Sequence, residues 1–322
     1  MNFSCIFAKR KFKRYLFSMN RLTFLVLILF LSAYSLLEAQ TKKTSLQENN
    51  LNGNVKSIEE FEYGMIDANG NIEKETETGS TFFEYNRSGF ISEQKVFDSK
   101  GMMGYKTTFE YENNHCVKEN NYNSKNKIIE RWHATYNDKG NIKEAYRVYE
   151  GKNIEKILYT YDNTGLLIEE KWFLNDVLFH KKLYIHDYVN HTVEKKLIDQ
   201  HRNTTATEIA TYNKEGILME ESKYNYQDSL KGKTICMYNE KEQLTEELSY
   251  GENNEFEGKI VFTYDEKGNI KEEKWYDYNN YLTTNITNTY TFDAKGNWIE
   301  KIEYDTEIQN GTIYKRKITY YN

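Results

Sequence analysis

The chain has no proline and only three cysteines and 17 glycines in 322 residues. Without proline, its turns must rest on Gly, Asn and Asp, and Pro-rich linkers and recognition motifs are excluded. Basic charge is scarce outside the N-terminus: residues 40–322 hold 37 Lys and Arg against 48 Asp and Glu, a net charge of −11. No basic patch stands out, so nucleic acid is excluded as a partner. There is no nucleophile elbow, zincin motif, P-loop or dinucleotide fingerprint. Helical periodicity is also absent beyond the N-terminal segment.

Aromatic residues are abundant, with 28 Tyr and 17 Phe. Disordered chains are poor in aromatics, so this one should fold, and Tyr- and Thr-rich usage favours strands. Only one long apolar run occurs, Leu22 to Leu37. It follows the basic stretch Lys9, Arg10, Lys11, Lys13, Arg14 and Arg21 and precedes Ala39. That order describes a signal peptide spanning residues 1–39, cut near Ala39–Gln40. The alternative is an uncleaved N-terminal anchor, which would be the chain's one contact with a membrane. Met19 offers a second start. Either reading places the protein outside the cytoplasm: in the periplasm, at the cell surface or secreted.

A short phrase recurs: "YDEKGNIKE" at 264, "YDNTGLLIE" at 161 and "FDAKGNWIE" at 292. The leading aromatic, position n, is Tyr85, Tyr111, Tyr136, Tyr161, Tyr212, Tyr238, Tyr264 and Phe292, at spacings of 25 to 28 with one double interval of 51. A degraded copy is therefore expected near 184–198. Position n+1 is Asn, Asp or Glu. Position n+4 is Gly89, Gly140, Gly165, Gly216, Gly268 and Gly296, with His115 and Glu242 in the other two copies. Asp or Asn at turn position i with Gly at i+3 is type I turn chemistry, and a left-handed Gly closes the hairpin with a bulge. Period-two apolar residues before n, as in "KIVFTY", indicate a half-buried strand.

Each unit therefore reads as strand, tight turn, strand and variable connection. The predicted fold is all-β: tandem β-hairpin repeats of ~26 residues, forming a long twisted or spiral antiparallel sheet. Residues 40–80 read as a divergent N-terminal capping repeat and 81–322 as the array. Cys116 and Cys236, nearly five units apart, exceed the ~7 Å reach of a disulfide between α-carbons in a linear array. Two free thiols are expected.

Position n+8 is Glu in every copy: Glu93, Glu119, Glu144, Glu169, Glu220, Glu246, Glu272 and Glu300. With no bulge in between, these acids share a face with apolar n+6. They then act as cross-strand partners of Lys or Tyr hydroxyls, or line a groove for cations or sugar hydroxyls. The structural role is preferred, because catalytic residues should break a repeat rather than follow it. Trp172 and Trp275, both at n+11, are the candidate ligand-binding residues. Exposed, they could stack on sugar rings; packed, they are core. His180, His186, His191 and His201 cluster at the degraded copy, which makes a hydrolase or metal-dependent site at 180–201 the alternative. No catalytic residue, metal or cofactor is assigned.

At the quoted phrases the chain resembles the YD repeats of the Rhs family, over residues 80–322. The resemblance implies a β-shell architecture and, for some members, carbohydrate binding. The chain departs from large Rhs proteins in lacking their Pro-containing core segment and a distinct C-terminal toxin domain. It is similar to small exported YD-repeat proteins. The expected role is a non-catalytic cell-surface or periplasmic scaffold binding glycan or envelope protein through a broad sheet face. A partner role in an Rhs-type toxin system is the third reading.

Overall fold

The computed structural model describes residues 43–68, 71–150, 153–201 and 203–322. The signal or anchor segment, Cys5 and Met19 lie outside the described residues. A four-residue helix, α1 (Ser45–Glu48), opens the described chain, and everything after it is strand and turn. The strands are β1 (Val55–Ala68), β2 (Asn71–Tyr85), β3 (Ile91–Asp98), β4 (Met103–Glu112), β5 (His115–Asn123), β6 (Ile128–Tyr136), β7 (Ile142–Tyr149), β8 (Asn153–Tyr161), β9 (Leu167–Leu174) and β10 (Val177–Asp187). They continue as β11 (Thr192–Asp199), β12 (Thr204–Tyr212), β13 (Leu218–Asn225), β14 (Leu230–Tyr238), β15 (Leu244–Tyr250), β16 (Phe256–Tyr264), β17 (Ile270–Asp277), β18 (Leu282–Phe292), β19 (Trp298–Asp305) and β20 (Asn310–Tyr320).

The all-β hairpin expectation holds. Each strand pairs with its sequence neighbour, and β1 also pairs antiparallel with β20, from Val55↔Tyr320 to Ile66↔Asn310. This corrects the expected long twisted or spiral sheet at its ends: β1 and β20 are not free edges but pair with each other. The physical reason is edge satisfaction. An open edge exposes unpaired N–H and C=O groups, and open sheets rarely pass ~10 strands. Residues 55–68, within the expected cap, supply one side of the closing pair.

The chain divides into two compact units. One holds 41–159, 170–180 and 258–322; the other holds 160–169 and 181–257. The first contains the closing seam. There Val55, Ile58 and Tyr85 form a buried cluster, with Leu46, Leu51, Phe83, Ile318 and Tyr320 packed against it. The segment before β1 ties this seam to two turns. Leu46 N donates to Gly89 O at 3.0 Å, and Ile91 N to Ser45 Oγ at 3.1 Å. The Asn297 side chain, 2% exposed, accepts from Asn52 N at 2.7 Å and donates to Asn52 O at 2.9 Å. It thus mimics a backbone ladder. Arg316 Nε donates to Glu60 Oε2 at 2.8 Å, with its guanidinium 3.3 Å from the Trp298 ring centroid. In the second unit, β11 to β15 repeat the same hairpins, with Tyr212, Cys236 and Leu244 buried.

The turns follow one rule. The Asp or Asn at n+1 accepts through Oδ1 from the amides of n+3 and n+5. Asp265 does so from Lys267 at 2.9 Å and Asn269 at 2.8 Å. Gly268 completes the turn at φ +84°, where a side chain would be strained. At Asp162 the Thr164 hydroxyl is the largest of the hydrogen bonds that hold the carboxyl below the usual carboxylate range. The connections read as variable in sequence use the same device. Asp98, Asn123, Asn225 and Asp277 each accept from two amides in their own turns. Structurally, the repeat is one strand and one turn, half the period counted in sequence.

Two outcomes follow. Asn297→Ala should lower unfolding stability by about 1–3 kcal/mol, because it removes hydrogen bonds to Asn52 N, Asn52 O and the Tyr320 hydroxyl; urea unfolding reads this. Glu242 sits at φ 59° where other copies carry Gly. Glu242→Gly should stabilise by about 1 kcal/mol or less, the relieved left-handed strain being partly offset by chain entropy.

Candidate functional site

The tight turn after n inserts a bulge that decides which side chains meet. Tyr264 pairs with Ile270, but Thr263 pairs with Glu272. The same shift separates Tyr85↔Ile91 from Glu84↔Glu93, and Phe292↔Trp298 from Thr291↔Glu300. The n+8 glutamates in these copies therefore lie on the face opposite n and n+6, which corrects the shared-face expectation. Glu119 is an exception. Its hairpin turns on Asn113 and Asn114, and Glu119 pairs with Phe109.

On their face the glutamates meet lysines. Glu272 lies 2.9 Å from Lys274, Glu144 3.0 Å from Lys156, Glu300 2.7 Å from Lys315 and Glu169 3.7 Å from Lys181. Glu93 pairs with Lys95. Tyr146 donates its hydroxyl to Glu144 at 2.6 Å. Near the connections, cross-strand pairs place Lys106 over Tyr122, Lys233 over Tyr250 and Lys259 over Tyr276 at 4.0, 4.7 and 5.3 Å. These partly exposed pairs are each worth little, but together they give this face alternating, self-neutralising charge.

The opposite face is packed, and it holds acids the sequence reading missed. They occupy n+9, one residue past the recurrent Glu: Glu170, Glu247 and the fully buried Glu273. Trp172 and Trp275 share this face. Trp172 is 8% exposed and donates its indole N–H to Glu170 at 2.8 Å. Trp275 is half-buried and donates to Glu273 at 2.5 Å. Neither is an exposed stacking platform, and of the two readings these positions support packing. Glu170 and Glu273 are thereby matched by donors, as a charge out of water requires. Burial, then Glu273, pushes the Tyr264 hydroxyl up to about 12. Between β6 and β7, Glu130 meets Arg147 at 2.7 Å. Burial raises the Glu130 carboxyl, and Arg147 opposes the rise.

The leading tyrosine also has a defined role. Tyr111 donates its hydroxyl to Ile91 O at 2.8 Å, Tyr238 to Leu218 O at 2.8 Å and Tyr136 to Cys116 O at 2.5 Å. Each of these three is thereby tied to the strand after the preceding turn; at Phe292, Tyr290 makes the equivalent bond, to Ile270 O at 3.0 Å. At the degraded copy, His186 occupies n, and its Nε2 lies 2.8 Å from Leu167 O. Asp187 at n+1 closes the turn, and Glu194 at n+8 meets Lys196 at 3.1 Å. His186 thus stands in for tyrosine. His180 stacks on Trp172 at 5.1 Å, His191 takes a left-handed turn position at φ 53°, and the backbone of His201 bonds to Asp199. Among the described residues no three His, Cys, Asp or Glu groups converge to hold a metal.

Cys116 and Cys236 are free thiols, as expected. Cys236 is 1% exposed, and burial, aided by Glu247, pushes its thiol up to about 12.

Large exposed apolar side chains lie at turns of both kinds. At the tips joining an odd-numbered strand to the next even one, the first unit carries Met102, Ile154, Val177, Tyr278, Tyr281 and Ile308 and the second carries Tyr226; at the even-to-odd β10–β11 turn the second unit carries Tyr188 and Val189, the latter 87% exposed. Sequence reading passed these over because tip residues follow no repeat column.

No known protein family matches the chain, and no curated protein matches it. Among solved structures, a porin-like protein from Bacteroides uniformis ATCC 8492 is similar over 82% of this chain and 96% of its own, at 11% identity and TM-score 0.34. A porin-like protein from Bacteroides vulgatus ATCC 8482 covers 83% and 98% at 12% identity and TM-score 0.28. A chain of the TcdB2-TccC3-Cdc42 complex is similar over 79% of this chain and 19% of its own, at 12% identity and TM-score 0.24. Likenesses this distant do not assign a fold or an activity.

Thiol labelling checks the packed face. A disulfide reagent at pH 8 should modify Cys116 first and leave Cys236 unreacted until the chain unfolds. Rapid native labelling of Cys236 would contradict its burial.

Proposed function

We propose that the protein is an exported, non-catalytic binding or scaffold module of the cell envelope, built from YD-type hairpins, that makes contact through its hairpin tips. The observation that carries this reading is how the polar side chains are used. Glutamates, lysines and leading tyrosines serve strand-to-strand contacts, and the large exposed apolar groups gather at the tips. Contact through a broad sheet face has less support, because one face is packed and the other carries paired charge. The basic-then-apolar N-terminal segment supports export.

A membrane-spanning barrel is the competing envelope reading, and it needs an uninterrupted outward apolar band. Neither face offers one: Glu272 and Lys274 lie on one, Glu170 and Glu273 on the other. No helix among the described residues is long and apolar enough to cross a membrane.

Fractionation with N-terminal sequencing tests export. The expected product is extracytoplasmic and begins at Gln40, or keeps its N-terminal anchor. A full-length cytoplasmic product would overturn the reading. So would an activity abolished by the combined His180→Ala, His186→Ala and His191→Ala substitutions in a folded chain.

A further inference from the structure

Resting on that reading, we infer that the paired tips β17–β18 and β19–β20 form a docking surface for an uncharged glycan, with Tyr278 and Tyr281 as its stacking residues. Both tyrosines are among the most exposed large side chains, at 67% and 70%. Their turn is rigid. Asp277 accepts from Asn279 N at 2.8 Å and Tyr281 N at 2.9 Å, Asp277 N donates to Tyr281 O at 3.0 Å, and Asn280 N donates to Asp277 O at 3.0 Å. The turn that carries the two rings therefore needs little backbone ordering on binding. The neighbouring tip is tied alongside, with Thr306 N donating to Asn285 O at 2.9 Å, and it carries Ile308 at 57% exposure.

Charge and size choose the occupant. Residues 277–282 and 305–310 contain no Lys, Arg or His. Asp277 and Asp305 are engaged within their own turns, which leaves Glu307 as the remaining acid. An anionic partner, whether phosphate, nucleic acid or acidic lipid, finds no counter-charge here. The surface instead offers tyrosine rings beside the amides of Asn279, Asn280, Gln309 and Asn310. Rings stack on the C–H face of a sugar, and amides both donate to and accept from hydroxyls. A tyrosine buries about 150–250 Å², so two tyrosines at these exposures with Leu282 and Ile308 offer about 400–500 Å². That falls short of the about 800 Å² per partner of a stable protein interface, and it suits a short stretch of polysaccharide.

The test is affinity electrophoresis of the exported chain in gels containing neutral polysaccharides (dextran, xylan, mixed-linkage β-glucan), followed by titration with the retarding one. Retardation should occur with at least one, and Tyr278→Ala/Tyr281→Ala should weaken binding at least tenfold with an unchanged urea midpoint. Met102→Ala, at another tip, should bind as the parent does. No retardation by any neutral polysaccharide, or equal binding by the double variant, overturns the inference. So does a Tyr278/Tyr281-dependent association with phosphatidylcholine vesicles, or a dimer that the double variant dissociates, each without glycan binding. Those results leave the export and scaffold reading standing. Release of sugar fragments from the bound polysaccharide would instead strike that reading, by showing catalysis.

Discussion

A sheet of twenty strands must dispose of two edges, and here they dispose of each other. The β1–β20 ladder pairs the start of the described chain with its end, and much of the first unit is arranged around that junction. Asn297 completes a backbone-like bridge to Asn52. Tyr321 donates its hydroxyl to Tyr85 O at 2.5 Å, extending the tyrosine-to-carbonyl pattern across the seam. Arg316 and Glu60 add an ion pair between the two strands of the ladder. Without that ladder the same hairpins would leave β1 and β20 as free templates for further pairing.

The polar composition, which at first sight suggests a binding groove, is consumed locally. One face neutralises its charge row by row through Lys–Glu and Lys–Tyr pairs. On the other, indoles donate to the buried Glu170 and Glu273, and Arg147 forms an ion pair with Glu130. The asparagines and aspartates at n+1 bind their own turns. What is left at the surface is a set of tyrosines and aliphatic residues, most of them at or beside the hairpin tips, and function is assigned there by subtraction as much as by chemistry.

Much of the local structure was legible in the sequence. The Tyr–Asp–Gly spacing marked the turns, the bulged hairpins and even the degraded copy, because those features depend on residues within about six positions of one another. The face of the recurrent glutamate was not legible, since one bulge reverses parity, and parity separates half-buried Glu272 from buried Glu273. Closure was not legible either. It joins residues more than 240 positions apart, and no periodic signal marks β20 as the partner of β1. His186 was legible only as one of a histidine cluster in a degraded copy, because the glycine of its turn is lost, and its hydrogen bond to Leu167 O restores it to the repeat. Trp172 and Trp275 were weighed as exposed or packed, and the carboxylates beside them decide for packed.

The central claim is that the sheet has no free edge. Native-state hydrogen exchange resolved to individual amides tests it most directly. The account predicts that the β1 and β20 amides facing one another, such as those of Glu59, Phe61, Lys315 and Lys317, exchange as slowly as ladder amides in β16 and β17. Exchange of β1 and β20 at the rate of exposed turns, with the interior strands still protected, would contradict it.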